Sequence, residues 1–411
     1  MNVEIINTGS ELMLGRVLNT HQQWLCRRLS DLGHVVTRQI AVADAGLAIQ
    51  NAVRESLAHA DLIIVTGGLG PTSDDITREL IAELLGKKSH CDEKILSGLK
   101  EFFASRNRPM PAKNAVQAMV PDGAIVLDNP NGTAPGLAMK IDGTAKWLVM
   151  LPGPPRELRP MFDNAVAPLI AKEFPPEQFI CRTLRSTGIG ESRLAEMIEP
   201  HLQSLVPRGL QIGYCARPGA VDVRLCARGS AAKPVVQEAE IIVEKILRGN
   251  VFGFDDDEIE TVVVRLLTQK KKTLALAESC TGGNIANKIT NVPGASAVFF
   301  GGIVSYANSA KENFLGVRAE TLAQHGAVSE AVAREMAEGA REKFNSDFAI
   351  AVTGIAGPDG GTAEKPAGTV FIALAGNFET IAERKLNSYE REGFKQITAQ
   401  QALEMLRLKL I

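Results

Sequence analysis

The sequence predicts an α/β protein of three domains: a doubly wound, three-layer α/β/α domain over residues 1–172, a small α+β domain over 173–254, and an α/β domain over 255–411. Three observations support this fold class. Segments with strand and helix periodicity alternate along the first domain, which is typical of a parallel sheet covered by helices. Two apolar runs, residues 62–65 and 273–277, each end in a small-residue turn before a helix. A length of 411 residues suits two or three domains.

The first domain reads as a regular alternation of elements. The elements predicted are, in chain order, a strand Val3–Thr8, a helix 19–33, a strand 34–43, a helix 47–60, a strand 62–65 and a strand 146–151. In such a fold, ligands bind at the carboxyl ends of the parallel strands.

A glycine-rich turn follows the central strand of this domain. Three glycines within four positions, Gly67, Gly68 and Gly70, allow positive φ and close approach of a ligand to the backbone. A strand, a glycine turn and a helix N-terminus together can hold an anionic group on backbone N–H donors. The run matches neither GxGxxG nor the P-loop, so it predicts neither a dinucleotide fold nor a P-loop enzyme.

Carboxylates accompany this turn. Asp74 and Asp75 follow Thr72 where the next helix should begin, and Glu11 follows the end of the first strand, facing the same crevice. Paired carboxylates beside a phosphate cradle favour a divalent cation such as Mg²⁺. The alternative is a tight turn in which Asp75 only caps the helix.

The middle segment predicts a compact β-α-β-β-α-β unit. Its helices are expected near 190–203 and 231–248, and residues 221–227 alternate as a strand does. A proline-containing stretch, 173–178, is the predicted linker before it.

In the third domain, the run E-S-C-T-G-G-N over residues 278–284 places Ser279 on a sharp turn before a helix. Such a turn exposes a hydroxyl near backbone N–H donors. The next segment supplies Tyr306 and Lys311, whereas His325, the only histidine here, suits a structural role at a helix end. A Ser–Lys pair is therefore more economical than a triad, provided that burial or a neighbouring positive charge lowers the lysine pKa. The alternative makes Ser279 a helix N-cap and Lys311 a surface residue.

Composition excludes several classes of protein. The net charge of −2 predicts no nucleic-acid partner, and no apolar run is long enough to predict a membrane span. The N-terminus enters a strand directly, so no signal peptide is expected. Six cysteines without CxxC spacing predict reduced thiols in a cytoplasmic protein.

The ordered motifs T-G-G-x-G-P-T-x-D-D-x-T, N-x-x-Q-A, N-x-x-G-T-A-P-G and L-P-G-x-P resemble the N-terminal domain of the CinA (competence/damage-inducible protein) family, which is similar to molybdopterin-binding domains. The resemblance implies metal-dependent ADP-ribose pyrophosphatase activity. The nucleotide and metal site that it implies comprises Gly67, Gly68, Gly70, Thr72, Asp74 and Asp75, lined by Asn114, Gln117, Asn129, Thr133 and Gly153. No Nudix-type glutamate box is present, so hydrolysis would need another arrangement of metal and water.

The motifs A-E-S-C-T-G-G, G-G-I-V-S-Y-x-N-x-x-K and V-T-G-I-A-G-P-x-G-G resemble the CinA C-terminal family of nicotinamide-nucleotide amidases. These enzymes convert nicotinamide mononucleotide to nicotinic acid mononucleotide and ammonia. The resemblance implies Ser279 as nucleophile, Lys311 as base and Tyr306 as an assisting hydroxyl. The nucleotide contacts expected with it are Thr281, Gly282, Gly283, Thr353, Gly354 and Arg391. Arg391 ends a Tyr-Glu-Arg run where the family often shows Gly-Asp-Arg.

The middle segment resembles a small KH-type module. Its glycines, Gly188 and Gly190, are one residue too close for the RNA-clamping GXXG loop, so we expect a spacer or an oligomerisation domain.

These readings predict a bifunctional cytoplasmic enzyme of pyridine-nucleotide salvage, forming a homodimer and acting on nicotinamide mononucleotide and ADP-ribose. We expect Mg²⁺ or another divalent cation at the N-terminal site, with a monovalent cation as a further candidate, and no cofactor for the amidase. Two alternatives stay open: an N-terminal molybdopterin-type binding module without turnover, and an accessory protein of competence or recombination.

Overall fold

The computed structural model describes residues 1–175 and 178–411 and divides into two compact units, Met1–Phe179 and Ile180–Ile411. The predicted linker over 173–178 includes residues 176 and 177, which lie outside the described residues.

The first unit is built on a six-stranded sheet of order β2-β1-β3-β8-β7-β6, with β4 and β5 forming a small separate ladder. Its strands are β1 Val3–Thr8, β2 Val36–Val42, β3 Leu62–Thr66, β4 Ser89–Cys91, β5 Met119–Pro121, β6 Ile125–Leu127, β7 Gly136–Lys140 and β8 Trp147–Leu151. Its helices are α1 Ser10–Met13, α2 Thr20–Asp31, α3 Gly46–His59, α4 Thr77–Leu84, α5 Glu93–Ala104, α6 Pro155–Met161 and α7 Ala167–Glu173, with a 3₁₀ segment Ala112–Ala118 and a π-helical turn Phe162–Val166.

Helices cover both faces of this sheet, which confirms the three-layer prediction. Successive side chains of a strand point to opposite faces. Ile64 of β3 therefore packs in the cluster that contains Leu25 of α2, whereas Ile63 packs in the cluster that contains Val53 of α3. Burial on both faces explains why β3 is apolar throughout.

The sheet is parallel through β2, β1, β3 and β8, but β7 and β6 run antiparallel. The purely parallel sheet expected from the alternating pattern is thus wrong at this edge. The connections from β6 to β7 and from β7 to β8 contain no crossover helix, and parallel neighbours require such a long connection.

The second unit begins with a four-stranded sheet of order β10-β11-β9-β12. Its elements are β9 Phe179–Thr187, α8 Glu191–Leu202, β10 Gln211–Arg217, β11 Ala220–Arg228, α9 Ala232–Leu247 and β12 Val251–Phe254, with 3₁₀ turns Val206–Arg208 and Arg248–Asn250. The predicted β-α-β-β-α-β order is confirmed.

A five-stranded sheet of order β14-β13-β15-β16-β17 completes this unit, parallel in its first three strands and antiparallel in the last two. Its strands are β13 Leu274–Glu278, β14 Phe299–Val304, β15 Phe348–Gly354, β16 Thr369–Ala375 and β17 Thr380–Leu386. Its helices are α10 Ile259–Lys270, α11 Asn284–Thr290, α12 Asn308–Leu315, α13 Ala319–His325, α14 Glu330–Phe344 and α15 Arg391–Leu410, with a 3₁₀ turn Ala295–Ala297.

One face of this last sheet is lined by small side chains. The residues that it contributes to the cluster with α14 include Ala275, Ala277, Ala349, Ala351, Ala373 and Ala375. Helix α12 in turn packs on α14 at Gly339, where a Cβ atom would lie 1.8 Å from the Leu315 carbonyl oxygen. Only glycine permits this approach, and the approach fixes the position of α12, which carries Lys311.

Among the described residues, no helix combines the length and apolarity that a membrane span needs.

Candidate active site

Ser279 lies directly beyond the carboxyl end of β13, the second strand of the five-stranded sheet. Its backbone N–H donates a 3.0 Å hydrogen bond to the Val352 carbonyl of β15. The chain then turns through Gly282 and Gly283, with φ of 62° and 94°, into α11. The sharp turn predicted from the sequence is therefore present, and the hydrogen bond to β15 holds the Ser279 backbone at its start.

A buried carboxylate organises this turn. Glu278 is 1% exposed and accepts hydrogen bonds from the backbone N–H groups of Gly283 at 3.0 Å, Ile285 at 3.1 Å and Ala286 at 2.8 Å. The free backbone N–H groups at the start of α11 thus donate to Glu278 and not to Ser279. The alternative in which Ser279 is the helix N-cap is therefore wrong. Gly283, which is predicted to contact a nucleotide, therefore donates its backbone N–H to Glu278.

We predict that Glu278→Gln loosens the serine turn. The amide keeps the shape of the carboxylate but loses its charge and turns an N–H₂ group toward backbone donors. Hydrogen bonds to a charged group contribute about 1.5–3 kcal/mol, so amide exchange over residues 283–286 should accelerate. Hydrogen-exchange mass spectrometry of the full chain measures this. Glu312→Gln, an exposed carboxylate on α12, is the control and should leave exchange unchanged.

Lys311 meets the serine from α12. Its side chain is 1% exposed, and Nζ lies 3.2 Å from Ser279 Oγ, 2.8 Å from the Ser305 carbonyl oxygen and 3.2 Å from the Tyr306 carbonyl oxygen. The alternative that Lys311 is a surface residue is therefore wrong. Burial lowers the pKa of its ammonium below the ordinary value of lysine, because the charged form is desolvated.

The three contacts of Nζ fix how a neutral amine would be oriented. A neutral lysine has two N–H donors and one lone pair, and a carbonyl oxygen can only accept hydrogen bonds. The Ser305 and Tyr306 carbonyls therefore take the two N–H donors, which leaves the lone pair directed toward Ser279 Oγ. This arrangement suits proton removal from the serine hydroxyl.

Ser279 and Lys311 open onto a cavity of about 270 Å³. Its other lining residues are Cys280, Tyr306, Asn308, Ala327, Val328, Thr353, Gly354, Ile355, Ala356, Gly357, Asp359 and Arg391. The Tyr306 side chain is 68% exposed at the rim, and its backbone carbonyl, not its hydroxyl, contacts Lys311.

Thr353 and Gly354, both predicted to contact the ligand, also stabilise the fold around this cavity. The Thr353 hydroxyl donates a 2.8 Å hydrogen bond to the Ala327 carbonyl. A Cβ atom on Gly354 would lie 2.8 Å from the Thr369 carbonyl oxygen, so this glycine allows β15 to approach β16. Arg391, the first residue of α15, donates a 2.6 Å hydrogen bond to the Gly357 carbonyl and places its guanidinium at the cavity wall.

The glycine turn of the first unit lies between β3 and α4. Gly67 and Gly68 have φ of 102° and 66°, and Cβ atoms there would lie 2.7 Å from the Thr8 carbonyl oxygen and 2.0 Å from Thr77 Oγ1. Gly153 adjoins the same turn, since its Cβ would lie 3.9 Å from Gly67 Cα. The structure thus brings Gly67, Gly68 and Gly153 together at the carboxyl ends of β3 and β8.

The carboxylates of this turn differ in role. Asp75 accepts hydrogen bonds from both the backbone N–H of Thr72, at 2.9 Å, and the Thr72 hydroxyl, and so closes the turn. Helix α4 follows Ile76 without a side-chain cap, so the helix-capping alternative for Asp75 is wrong. Asp74 is exposed. Glu11 folds back on Gly9 within α1.

Three of the other residues predicted to line this site make hydrogen bonds within the chain. Asn114 donates a 2.9 Å hydrogen bond to Gln117, and both are buried. Asn129 donates to the Ala134 carbonyl at 2.8 Å and to Glu157 at 2.7 Å. Asn129 and Thr133 line a groove of about 580 Å³ beside α5.

Sequence reasoning missed two buried acids. Glu278 and Glu157 each hold a neighbouring turn by hydrogen bonds, and a Cβ on Gly132 would lie 2.1 Å from Glu157 Oε2. Glu278 directly precedes Ser279 in the motif, which was an available signal. Glu157 follows the L-P-G-x-P motif by two residues, where nothing in the pattern marked it.

Comparison with known families covers nearly the whole chain. Residues 256–410 match the family described as "CinA C-terminal domain", residues 4–172 the "Probable molybdopterin binding domain" and residues 181–253 the "Damage-inducible protein CinA KH domain".

Full-length relatives are also similar. A "CinA-like protein" of Akkermansia muciniphila is 46% identical over 404 residues, covering 98% of this chain and 96% of that protein. A "Putative competence-damage inducible protein" of Symbiobacterium thermophilum is 44% identical, covering 100% and 99%. Among solved structures, a competence-damaged protein (CinA) superfamily protein from Klebsiella pneumoniae is 39% identical, covering 37% of this chain and 95% of that chain, with a TM-score of 0.36.

Proposed function

Because the chain belongs to the CinA family, we propose that its C-terminal domain hydrolyses the carboxamide of nicotinamide mononucleotide, giving nicotinic acid mononucleotide and ammonia. The observation that carries this proposal is the 3.2 Å contact between Lys311 Nζ and Ser279 Oγ at the wall of the 270 Å³ cavity. A buried lysine beside a serine on a sharp strand-to-helix turn suits acyl transfer.

The first half of the reaction forms an ester on the enzyme. Ser279 Oγ attacks the carboxamide carbon while its proton passes to Lys311 Nζ. The resulting Lys311 ammonium is held by the Ser305 and Tyr306 carbonyls and returns a proton to the departing nitrogen, so that ammonia leaves. The products of this half are ammonia and the nicotinoyl ester of Ser279.

The second half reverses these roles with water. Lys311, neutral again, removes a proton from a water molecule that attacks the ester carbon, and Ser279 regains its proton as the carboxylate product leaves. Arg391 supports binding of the phosphate group, because its guanidinium lies at the cavity wall and favours an anion. The positive pyridinium ring of the substrate would further favour the neutral form of Lys311.

The decisive experiment measures ammonia release from nicotinamide mononucleotide by the purified full chain, with nicotinamide riboside as the matched substrate that lacks phosphate. We expect release from the mononucleotide and weaker binding of the riboside. No ammonia from either compound would overturn the proposal.

For the first unit, the proposal is metal-dependent cleavage of ADP-ribose to AMP and ribose 5-phosphate. It is supported by the position of the glycine turn at the carboxyl ends of the parallel strands β3 and β8, the edge at which ligands bind in folds of this kind. Across the described residues, no group of three or more His, Cys, Asp or Glu side chains is placed to hold a metal ion. Mg²⁺ is commonly held by one or two carboxylates plus substrate phosphates, so Asp74 and Asp75 fit a cation that arrives with the nucleotide.

Bound there, a divalent cation would neutralise charge on the pyrophosphate. The residues of the chain supply the rest: the turn at Gly67 and Gly68 receives the phosphates, and Asp75 holds Thr72 in place. A binding module without turnover is the competing assignment for this unit. Release of AMP from ADP-ribose that ceases when excess chelator is added would support cleavage, whereas a binding module would release no AMP under either condition.

We predict that Asp74→Asn weakens activation by Mg²⁺ while leaving thermal unfolding unchanged, because Asp74 is exposed and holds no other element in place. Asp75→Asn should weaken Mg²⁺ activation and also lower the temperature of unfolding, since the Asp75 carboxylate accepts the hydrogen bonds from Thr72 that close the turn. Titrating Mg²⁺ against AMP release measures the first effect. Asp142→Asn, on the exposed turn between β7 and β8, is the control. Undiminished Mg²⁺ activation in Asp74→Asn would contradict the assignment.

An accessory role in competence is the remaining alternative, because relatives carry that name. Within the second unit, Gly188 and Gly190 line a cleft of about 560 Å³ whose other wall includes Met405 and Leu408 of α15. The turn that would clamp RNA in a KH domain therefore faces the C-terminal domain. This placement favours the spacer role proposed for the middle domain.

A further inference from the structure

Two thiols face each other across adjacent strands of the middle sheet. Cys181 of β9 and Cys226 of β11 have their Sγ atoms 2.9 Å apart. Ser186, five residues further along β9, donates a 2.7 Å hydrogen bond to the Val221 carbonyl, five residues back along β11. The strands therefore run antiparallel, and the two cysteines are directly opposite partners. Opposed residues of antiparallel strands have Cα atoms about 4.5–5.5 Å apart, which lies within the Cα···Cα range of a disulfide.

The two thiols differ in exposure and in charge environment. Cys181 is exposed, whereas Cys226 is 8% exposed. The Cys226 thiol donates its hydrogen bond to Cys181, which lowers the pKa of Cys181 and raises that of Cys226; the positive charge of Arg224 acts in the same direction on Cys181. Cys181 is therefore the accessible nucleophile, and Cys226 is the buried partner beside it.

We propose that Cys181 and Cys226 form a reversible disulfide site that small hydroperoxides oxidise and dithiols reduce. The pair lies in the middle domain, away from Ser279 and Lys311, so the proposal does not depend on the amidase assignment. It also extends the expectation of six reduced cysteines, because the sulfur atoms of these two free cysteines are in contact.

The reaction balances in two steps. The Cys181 thiolate attacks one oxygen of the hydroperoxide, the O–O bond breaks, and the alkoxide or hydroxide leaves as an alcohol or water after taking a proton. Cys181 is then a sulfenic acid, oxidised by two electrons. Cys226 sulfur attacks Cys181 sulfur, the S–O bond breaks, and the leaving hydroxide takes the Cys226 proton to form water. A dithiol reverses the linkage by exchange.

The linkage would secure the beginning of β9. Cys181 is the third residue of that strand, and it is opposite the last part of β11. In the reduced state, ladder hydrogen bonds and the ion pair of Arg182 with Glu240 hold this end. A covalent bond would prevent it from fraying, so oxidation should slow amide exchange at residues 180–184 selectively.

The test uses the fully reduced full chain treated with one equivalent of hydrogen peroxide. We expect the loss of two of six titratable thiols, a mass decrease of two hydrogen atoms, and one linked peptide pair that contains Cys181 and Cys226. Dithiothreitol should restore all six thiols. Linkage of any other pair, dimers joined by disulfides, or Cys181 and Cys226 that both remain thiols at peroxide levels that oxidise exposed Cys91 would overturn the proposal.

Single variants resolve the order of events. Cys226→Ser should leave Cys181 as a sulfenic acid that a 1,3-dione reagent traps, and Cys181→Ser should leave Cys226 reduced because it is buried. Cys215→Ser, an exposed cysteine on neighbouring β10, is the matched control and should still give the linked peptide. Sulfenic acid on Cys226 and not on Cys181 would contradict the assigned roles.

Discussion

Ser279→Ala should reduce ammonia release from nicotinamide mononucleotide by about 10⁴-fold or more, because the covalent intermediate cannot form without the hydroxyl. The fold should persist, since the Ser279 backbone N–H, and not its side chain, holds the turn to Val352. Steady-state ammonia assays with the full chain measure the loss. Equal binding of the mononucleotide by variant and parent would show that the lost step is chemical.

Cys280 is the competing nucleophile, because it is adjacent to Ser279 and lines the same cavity. Burial, with a further contribution from the charge of Glu278, raises the pKa of its thiol to about 12. The thiolate needed for attack is therefore scarce near neutral pH. Cys280→Ala is the control and should keep near-parental turnover. An inactive Cys280→Ala beside an active Ser279→Ala would reverse the assignment.

Much of the framework could be predicted because it depends on local pattern. Strands β1 and β3 are buried on both faces and were visible as apolar runs, and the β-α-β-β-α-β order of the middle domain followed from spacing alone. The glycine turns were predictable for the same reason, since a positive φ at Gly67 or Gly283 selects a residue type at one position.

The remainder depends on contacts between distant segments. Burial of Lys311 requires α12 to pack on α14 at Gly339, an approach that no local pattern in residues 308–315 reveals. The same holds for Asn129, whose amide donates a hydrogen bond to Glu157 in the first turn of α6, 28 residues further along the chain. The antiparallel edge of the first sheet was missed because the alternating pattern stops before β6. In each case the deciding interaction lies outside the window that a periodicity argument covers.

Lys311→Arg should reduce turnover by about 10²–10⁴-fold while nicotinamide mononucleotide still binds, because a guanidinium keeps the positive charge but does not deprotonate at usable pH. In the parent protein the active form is the neutral amine, so the amidase rate should rise with pH. Since burial lowers the pKa of Lys311, the midpoint of that rise should fall below about 10.4, the ordinary value of lysine. The variant should lose this rise altogether.

The test measures the rate of ammonia release as a function of pH for the parent protein and the variant. Calorimetry measures the affinity of each for nicotinamide mononucleotide. Lys270→Arg, on the exposed last turn of α10, is the matched control and should change neither quantity. Because the guanidinium is larger than an ammonium and the Lys311 side chain is enclosed, retained affinity is also the check that the cavity has kept its shape. If Lys311→Arg keeps the parental rate and the same pH midpoint, then Lys311 contributes only charge, and the proton acceptor must be another group at the cavity, with the Tyr306 hydroxyl at its rim the first to replace.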